Sequence, residues 1–298
     1  MSPSVSTQDL AVHLTALPDR EVAALLVARP DLAAPPSSSF LALATRAGAP
    51  GSIEHALAGL DAPTLAVAEA VVALSRPDES GQAGGAGPTA DTEVVGNRRV
   101  GAAGDEPAGS EPASNLAGHP ADPATPANSA TADLAGLVAA HLPLPAEQVT
   151  EALGHLRRLA LVVEGRPVAA LEAAFGPHPF GLGPWAAEPL SAEHLPPTLE
   201  ELSEDAAGKP AIPAASVEML QALTWGPPAG TLRSGGTAPG AAPLVERGWL
   251  ERSSDAQGRP RFILPRQVAL ALRGGRLTRG PLTAPEAGDL ETVGADVV

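Results

Sequence analysis

The stretch that decides the fold lies late in the chain. It begins Pro243-Leu-Val-Glu-Arg-Gly-Trp-Leu-Glu-Arg252, passes through a polar turn over residues 254–258, and continues Arg261-Phe-Ile-Leu-Pro-Arg-Gln-Val-Ala-Leu-Ala-Leu-Arg-Gly-Gly275. The polar residues favour a tight turn between two short apolar runs, which is the pattern of a β-hairpin. Gly248 is expected to end a short helix over residues 244–247 just before the first strand.

The same stretch also predicts a helix after the hairpin. Pro265 suits the first turn of a helix, and the glycine pair at residues 274–275 suits its end. A short helix, a hairpin and a further helix in this order are typical of a winged helix, with the hairpin as the wing. Residues 244–280 hold eight arginines and three acids, so this wing is basic in a chain whose net charge is −15.

Composition limits the kind of protein. A length of 298 residues predicts about two domains. The absence of cysteine excludes disulfides, thiolate zinc sites and cysteine nucleophiles. The start has no basic region followed by an apolar run, and no apolar stretch reaches the ~20 residues that span a bilayer. We therefore expect a cytoplasmic protein without membrane partners, and a net negative charge that confines any nucleic-acid contact to local basic patches.

The sequence before the late wing predicts a second unit of the same kind. Asp61 is expected to cap a buried helix, Thr131 a second helix, and Pro145 to begin a third with Val149 and Leu153 facing inward. Residues 159–164 and 167–171 then predict a two-stranded ribbon around Gly165. Between the first and second helices, residues 77–130 are rich in Pro, Gly and Ala and predict a disordered insert.

The predicted fold class is mainly α with small β wings, as tandem winged-helix units preceded by a bundle of short helices. The expected boundaries are an N-terminal helical region over residues 1–61, a winged-helix-like domain over 62–175 interrupted by the insert at 77–130, an acidic Pro-rich connector over 176–212, a second winged-helix-like domain over 213–280, and a disordered tail over 281–298.

The sequence motifs give no evidence of catalysis or metal binding. A P-loop requires Gly-Lys-Ser/Thr, whereas Lys209 is followed by proline. The Gly-x-Ser-x-Gly nucleophile motif is absent, and the seven histidines show no pair at helical metal-binding spacing. The acids around Glu200 are typical of a solvated helix face, and the three tryptophans are expected to pack. We predict no enzyme activity, no cofactor and no metal.

Arginines are the candidate functional residues. Two of them end the predicted third helix of the first unit, and the others flank or follow the second wing. Clustered arginines bind phosphates without reading sequence. The candidate DNA contacts are Arg157, Arg158, Arg259, Arg261, Arg266, Arg273 and Arg276.

Several runs resemble a known family. They are residues 17–32, 156–162, 176–184, 223–230 and 264–275, and in this order they are similar to bacterial helicase-associated proteins whose C-terminal part resembles the N-terminal domain of XPB-type helicases. The resemblance implies winged-helix segments and a DNA-associated role beside a helicase motor. Family members have a short loop near residue 77 and continue beyond the equivalent of residue 298, so a truncated member of the family is expected.

The predicted function is therefore a non-catalytic, helicase-associated winged-helix protein that serves as a DNA-binding accessory in repair or transcription. Its predicted partners are DNA, bound weakly and sensitive to salt, and a helicase or repair protein. Winged helices also pair with proteins, and the net charge repels DNA. A protein-interaction scaffold, or a fragment of a larger helicase-associated protein, is thus the alternative.

Overall fold

A computed structural model describes residues 4–76, 126–203, 212–231 and 238–282 of the chain. Over these ranges the protein is mainly helical with two small antiparallel sheets, as the sequence predicts. Most of the predicted insert and the tail beyond residue 282 lie outside the described residues. The last five residues assigned to the insert, 126–130, belong to a helix instead, because the second predicted helix begins at Pro126 rather than after Thr131.

The helices before the insert are α1 (Thr7–Ala16), α2 (Asp19–Ala28), α3 (Pro30–Ala33), α4 (Phe40–Ala47), α5 (Pro50–Ala58) and α6 (Ala62–Leu74). Those after it are α7 (Pro126–Ala139), α8 (Ala146–Arg158), α9 (Ala169–Phe175), α10 (Leu199–Ser203), α11 (Ala214–Thr224), α12 (Ala241–Glu246) and α13 (Arg266–Leu272). The strands are β1 (Val162–Val163), β2 (Arg166–Pro167), β3 (Ala229–Thr231), β4 (Glu251–Ser254) and β5 (Pro260–Ile263).

Side-chain caps begin three of the early helices. Ser6 Oγ accepts a hydrogen bond from the Asp9 N–H at 3.2 Å, and Ser39 Oγ accepts one from Ala42 at 3.1 Å. The Asp61 carboxylate accepts from the Thr64 N–H at 2.8 Å. Each bond satisfies one of the free N–H groups at a helix start, and the cap at Asp61 is confirmed.

One local prediction about the early ribbon is wrong. The second arm of the early ribbon was expected over residues 167–171. It ends at Pro167, and residues 169–175 form α9. The run Ala-Ala-Leu-Glu-Ala-Ala consists of strong helix formers, and this propensity decides the local structure.

Helices α6, α7 and α8 pack together, and the short β1–β2 ribbon follows directly after α8. Helix α6 is apolar nearly all round and buried along most of its length, which is the arrangement for a central helix. Val149, Leu153 and Leu156 of α8 are fully buried against it. The predicted inward stripe of the third helix is confirmed.

The second sheet has three strands in the order β3-β5-β4, all antiparallel. Phe262 of β5 lies between Gly230 of β3 and Arg252 of β4 and is buried. The β4–β5 hairpin was predicted from the sequence, whereas β3 was not. None of the helices within the described ranges is both long and apolar enough to cross a bilayer.

Candidate interaction site

Arg266 lies inside the protein at the start of α13, with only 7% of its surface exposed. Its Nε donates to the Gly183 carbonyl at 2.9 Å, and its Nη1 donates to the Ala73 carbonyl at the end of α6 at 2.7 Å. The guanidinium also lies 5.5 Å from the centre of the Trp185 ring. Burial lowers the pKa of Arg266 to about 10. Its prediction as a DNA contact is wrong, because no part of the cation reaches a phosphate from here.

Arg273, directly after the other end of α13, is also buried. It is 1% exposed, and its Nε donates to the Thr224 carbonyl at 2.7 Å while Nη1 donates to the Phe180 carbonyl at 3.1 Å. Its guanidinium lies 4.3 Å from the centre of the Trp225 ring. Burial, and then the nearby Arg279, lower its pKa to about 10. This second predicted DNA contact is therefore also wrong, because the guanidinium is buried and donates to two backbone carbonyls.

The arginines of the wing and of the following loop are bonded locally. Arg259 pairs with Asp255 across the hairpin turn at 2.6 Å. Arg276 pairs with Glu200 of α10 at 3.0 Å and donates to the Arg273 carbonyl. Arg261 lies on β5 and is half-buried. Arg259 and Arg276 stabilise the hairpin turn and the packing of α10, and both of these exposed charges are paired with a carboxylate.

Arg157 and Arg158 differ from all of these. They occupy the last turn of α8, where cations are favoured by the helix dipole. Both are exposed, and neither makes an ion pair or hydrogen bond within the described part of the chain. Of the seven predicted contacts, this pair alone combines exposure with a free guanidinium.

This pair lies at the edge of a groove of about 430 Å³ between α1, α2 and the end of α8. Its apolar lining consists of the half-buried Leu17 and of Leu25, Ala160, Val162 and Val163, which are each at least 96% buried. Its polar lining consists of His13, Glu21, Arg157, Arg158 and Glu164, and the remaining lining residues are Ala24 and Gly154. The groove was not predicted, because α1 and α2 were read as a separate helical region and nothing in the sequence shows that they cover α8.

His13 is the half-buried titratable group of this groove. Burial lowers the pKa of its imidazole, Arg157 acts in the same direction, and the carboxylates of Glu164 and Glu21 oppose them. The neutral imidazole is therefore favoured more than in an exposed histidine. The fixed positive charge of the groove comes from the two arginines.

The exposed start of α8 is acidic. Glu147, Gln148, Thr150 and Glu151 face solvent over its first two turns. In helix-turn-helix proteins, the N-terminal residues of the recognition helix approach the DNA. Two carboxylates at these positions repel phosphates, so α8 presents a mixed surface, acidic at its start and basic at its end.

A second cavity of about 300 Å³ lies beside Arg29, His55 and His155. Arg29 is 1% exposed and donates to the carbonyls of Leu159, Ala47 and Ser52 at 3.1 to 3.2 Å. Its guanidinium thereby satisfies carbonyl groups at the ends of α4 and α8, which a cation suits. Arg29 is a structural residue that the sequence did not single out.

Two tryptophans make the expected packing contacts. Trp249 is buried, and its indole N–H donates to the His194 carbonyl at 2.7 Å. Trp185 donates to the Ser75 carbonyl at 2.8 Å and has Arg76 over its ring. Arg76 and Arg266 both lie near the Trp185 ring, so these rings contact the rest of the chain as predicted.

Within the described ranges, His, Asp and Glu form no group of three that could hold a metal ion. Comparisons with protein-family models, curated proteins and solved structures gave no match. The conclusions below therefore depend on the residues of this chain and their geometry.

Proposed function

We propose that the chain is a non-catalytic protein-binding module built from two winged-helix units. Support for the winged-helix units comes from element order. In the first, α6, α7 and α8 are followed by the β1–β2 hairpin; in the second, α11, β3 and α12 are followed by the β4–β5 hairpin. The pairing of β3 with β5, the last strand, gives the second unit the sheet that a winged helix forms around its wing.

The protein-binding proposal rests on where the structure places the predicted arginines and on what they contact. Arg266 and Arg273 are buried, and Arg259 and Arg276 are paired, which leaves few of the seven predicted arginines to bind phosphates within the described residues. Arg157 and Arg158 line a groove between helices. Clefts with a few placed polar groups bind peptides and helices, whereas duplex DNA needs many cations on one surface.

The test is crosslinking mass spectrometry on the full chain captured from a nuclease-treated bacterial lysate, beside fluorescence anisotropy with duplex and single-stranded DNA. We expect a protein partner that survives nuclease treatment and crosslinks to defined residues of the chain. Loss of all captured material on nuclease treatment, together with duplex binding at low salt, would contradict the proposal.

DNA binding is the second candidate function, favoured by the exposed and unpaired Arg157 and Arg158. Two phosphate contacts give a salt slope near −1.8, so affinity would fall roughly tenfold between 50 and 200 mM salt. Anisotropy across this range, with Arg157→Ala/Arg158→Ala as the comparison, tests it. Binding that the double variant does not weaken would contradict this candidate.

The resemblance to helicase-associated proteins supports a helicase or repair protein as the partner. That assignment and the cytoplasmic location remain predictions from the sequence.

A further inference from the structure

We propose that helix α2 is a cover over the end of α8, and that it opens by local unfolding while the rest of the described chain stays folded. Opening begins at Asp19, the uncapped start of the helix, and stops at Arg29, which is fixed in the interior. It exposes the walls of the two cavities that α2 and α8 both line. This opening is a property of the chain alone, so its test does not depend on any partner.

Helix α2 buries less than the helix before it. Both have ten residues, but α1 buries Leu10, Ala11 and Leu14, whereas Leu25 is the one buried residue of α2. Val27 of α2 is 80% exposed. Because burial of apolar side chains is the main favourable term in packing a helix, α2 is held more weakly than α1. Elements with few buried apolar contacts are those that open locally.

The side of α2 that faces α8 carries small residues. Residues at the spacing of one helix face line cavities that α8 also lines, and they are Glu21, Ala24, Leu25 and Ala28. Ala24 lines the larger cavity, of about 430 Å³, and Ala28 lines the smaller, of about 300 Å³. Unfilled space between two helices removes dispersion contacts. Packing of this face of α2 on α8 therefore depends largely on Leu25.

The two ends of α2 are held unequally. Pro18 precedes the helix and provides no side-chain cap, whereas three other early helices have one. At the far end, the Arg29 N–H donates to the Leu25 carbonyl at 2.8 Å, and its guanidinium donates to carbonyls outside the helix. A helix of about ten residues is marginal without packing. Helix α2 therefore unfolds when it leaves α8, from its start up to the fixed Arg29.

Opening exposes apolar residues that are buried in the closed state. Val162 of β1 is 2% exposed and lines the larger cavity, and Leu159 at the end of α8 is 4% exposed and lines the smaller one with Ala28. Both become accessible when α2 leaves. The cover thus controls access to the apolar surface at the end of α8, beside Arg157 and Arg158.

Hydrogen–deuterium exchange of the full chain, followed by mass spectrometry, tests the opening. Ala23→Gly weakens α2 at an exposed position that lines neither cavity, and Glu151→Gly makes a similar change at an exposed position of α8. We expect the amides of α2 to exchange at least about tenfold faster than those of α6. Ala23→Gly should speed exchange in α2 by about two- to fivefold.

Glu151→Gly should speed exchange in α6 by a similar factor and leave α2 unchanged, because α8 stays folded when α2 opens. Equal protection of α2 and α6 in wild type would overturn the inference. So would acceleration of both helices by Glu151→Gly, since α2 would then exchange only when the whole bundle unfolds. Circular dichroism confirms that each variant folds.

Filling the larger cavity tests why α2 is weakly held. Ala24→Leu adds apolar carbons at the cavity, and Ala23→Leu is the matched control at the neighbouring exposed position that lines neither cavity. Burial of the added carbons should slow exchange in α2 by about fivefold or more, and the control should change it by less than about twofold. Equal effects of the two variants would contradict the role of the cavity.

A single thiol in the cavity wall tests whether α2 covers it. The chain has no cysteine, so Val162→Cys introduces one thiol at the larger cavity, and Val71→Cys introduces one in α6, where Val71 is fully buried. We expect a thiol-reactive dye to label the first variant at least about tenfold faster than the second. Adding Ala23→Gly to the first should speed its labelling about two- to fivefold, and adding Glu151→Gly should not. Equal labelling of the two thiols, or labelling at residue 162 that Ala23→Gly leaves unchanged, would show that α2 is not a cover.

Discussion

Helices α8 and α13 place their arginines in opposite surroundings. Arg157 and Arg158 end α8 and remain exposed and unpaired within the described residues. Arg266 begins α13, Arg273 directly follows it, and both are buried against carbonyls and tryptophan rings. The difference teaches that an arginine at a helix end is a surface cation or an internal donor according to whether another segment covers that end.

The covering segment is the connector after α9. Its carbonyls at Phe180 and Gly183 accept hydrogen bonds from Arg273 and Arg266. Arg266 also reaches Ala73 of α6, and the Leu277 N–H donates to the His141 carbonyl after α7. Arg266 and Arg273 therefore attach α13 to the connector, and Arg266 attaches it to α6 as well. The acidic Pro-rich connector packs against both helices through these carbonyls.

The largest expected effect is on Arg273. Arg273→Ala leaves the carbonyls of Thr224 and Phe180 without a donor in the interior and removes the contact with Trp225, so we expect a loss of about 3 kcal/mol in the free energy of unfolding. Urea denaturation followed by circular dichroism measures it. Arg157→Ala is the matched control and should change stability by less than about 0.5 kcal/mol. Equal losses in the two variants would contradict the distinction between the buried Arg273 and the exposed Arg157.

Gly183 tests the same packing from the connector side. A Cβ added there would lie 2.2 Å from the Leu264 carbonyl oxygen, a backbone atom that cannot turn aside. Gly183→Ala should therefore cost about 2 kcal/mol, in the range of overpacked interiors. Gly136→Ala in α7 is the control, because nothing lies within 4 Å of its added Cβ, and it should stabilise the helix by about 0.5–1 kcal/mol. Thermal unfolding should show opposite shifts, and a neutral result at Gly183 would contradict the close packing.

The sequence predicts the local pieces of this fold well and their mutual packing poorly. Helix starts at Ser6, Ser39 and Asp61 follow from capping chemistry, which depends on residues three apart. The burial of Arg266 depends on Ala73, far away in the chain, and no local pattern carries that information. The helical spacing of apolar residues predicts which side of α8 is buried. The groove beside α8 exists only because α1 and α2 pack there.

Glu69 gives a smaller and pH-dependent test of the contact between α6 and the connector. Its carboxylate accepts the Phe180 N–H at 2.5 Å, and burial raises its pKa although that hydrogen bond opposes the shift. A raised pKa in the folded state means that its stabilising effect is complete below the ordinary value of 4.5 and is lost as pH rises through the folded pKa.

Glu69→Gln keeps an acceptor for Phe180 and removes the charge. We expect its unfolding free energy at pH 7 to exceed that of wild type by less than about 1 kcal/mol, because the half-buried carboxylate is partly screened by solvent. The difference should disappear below pH 4.5. Urea denaturation across this range measures it, with Glu54→Gln on the exposed face of α5 as the control. A gain that persists at low pH would show that packing, and not charge, is responsible.

The smallest expected effect sharpens the comparison most directly. Arg157→Ala/Arg158→Ala should change the free energy of unfolding by less than about 1 kcal/mol, since only helix-dipole and solvated contacts are lost. Urea denaturation checks this beside the buried Arg273→Ala. If the pair binds a partner, its removal weakens that partner while stability is kept, and this separation of binding from folding is what distinguishes a surface cation from an internal donor. A loss of several kcal/mol would instead place the pair with Arg266 and Arg273, as part of the packing of the chain.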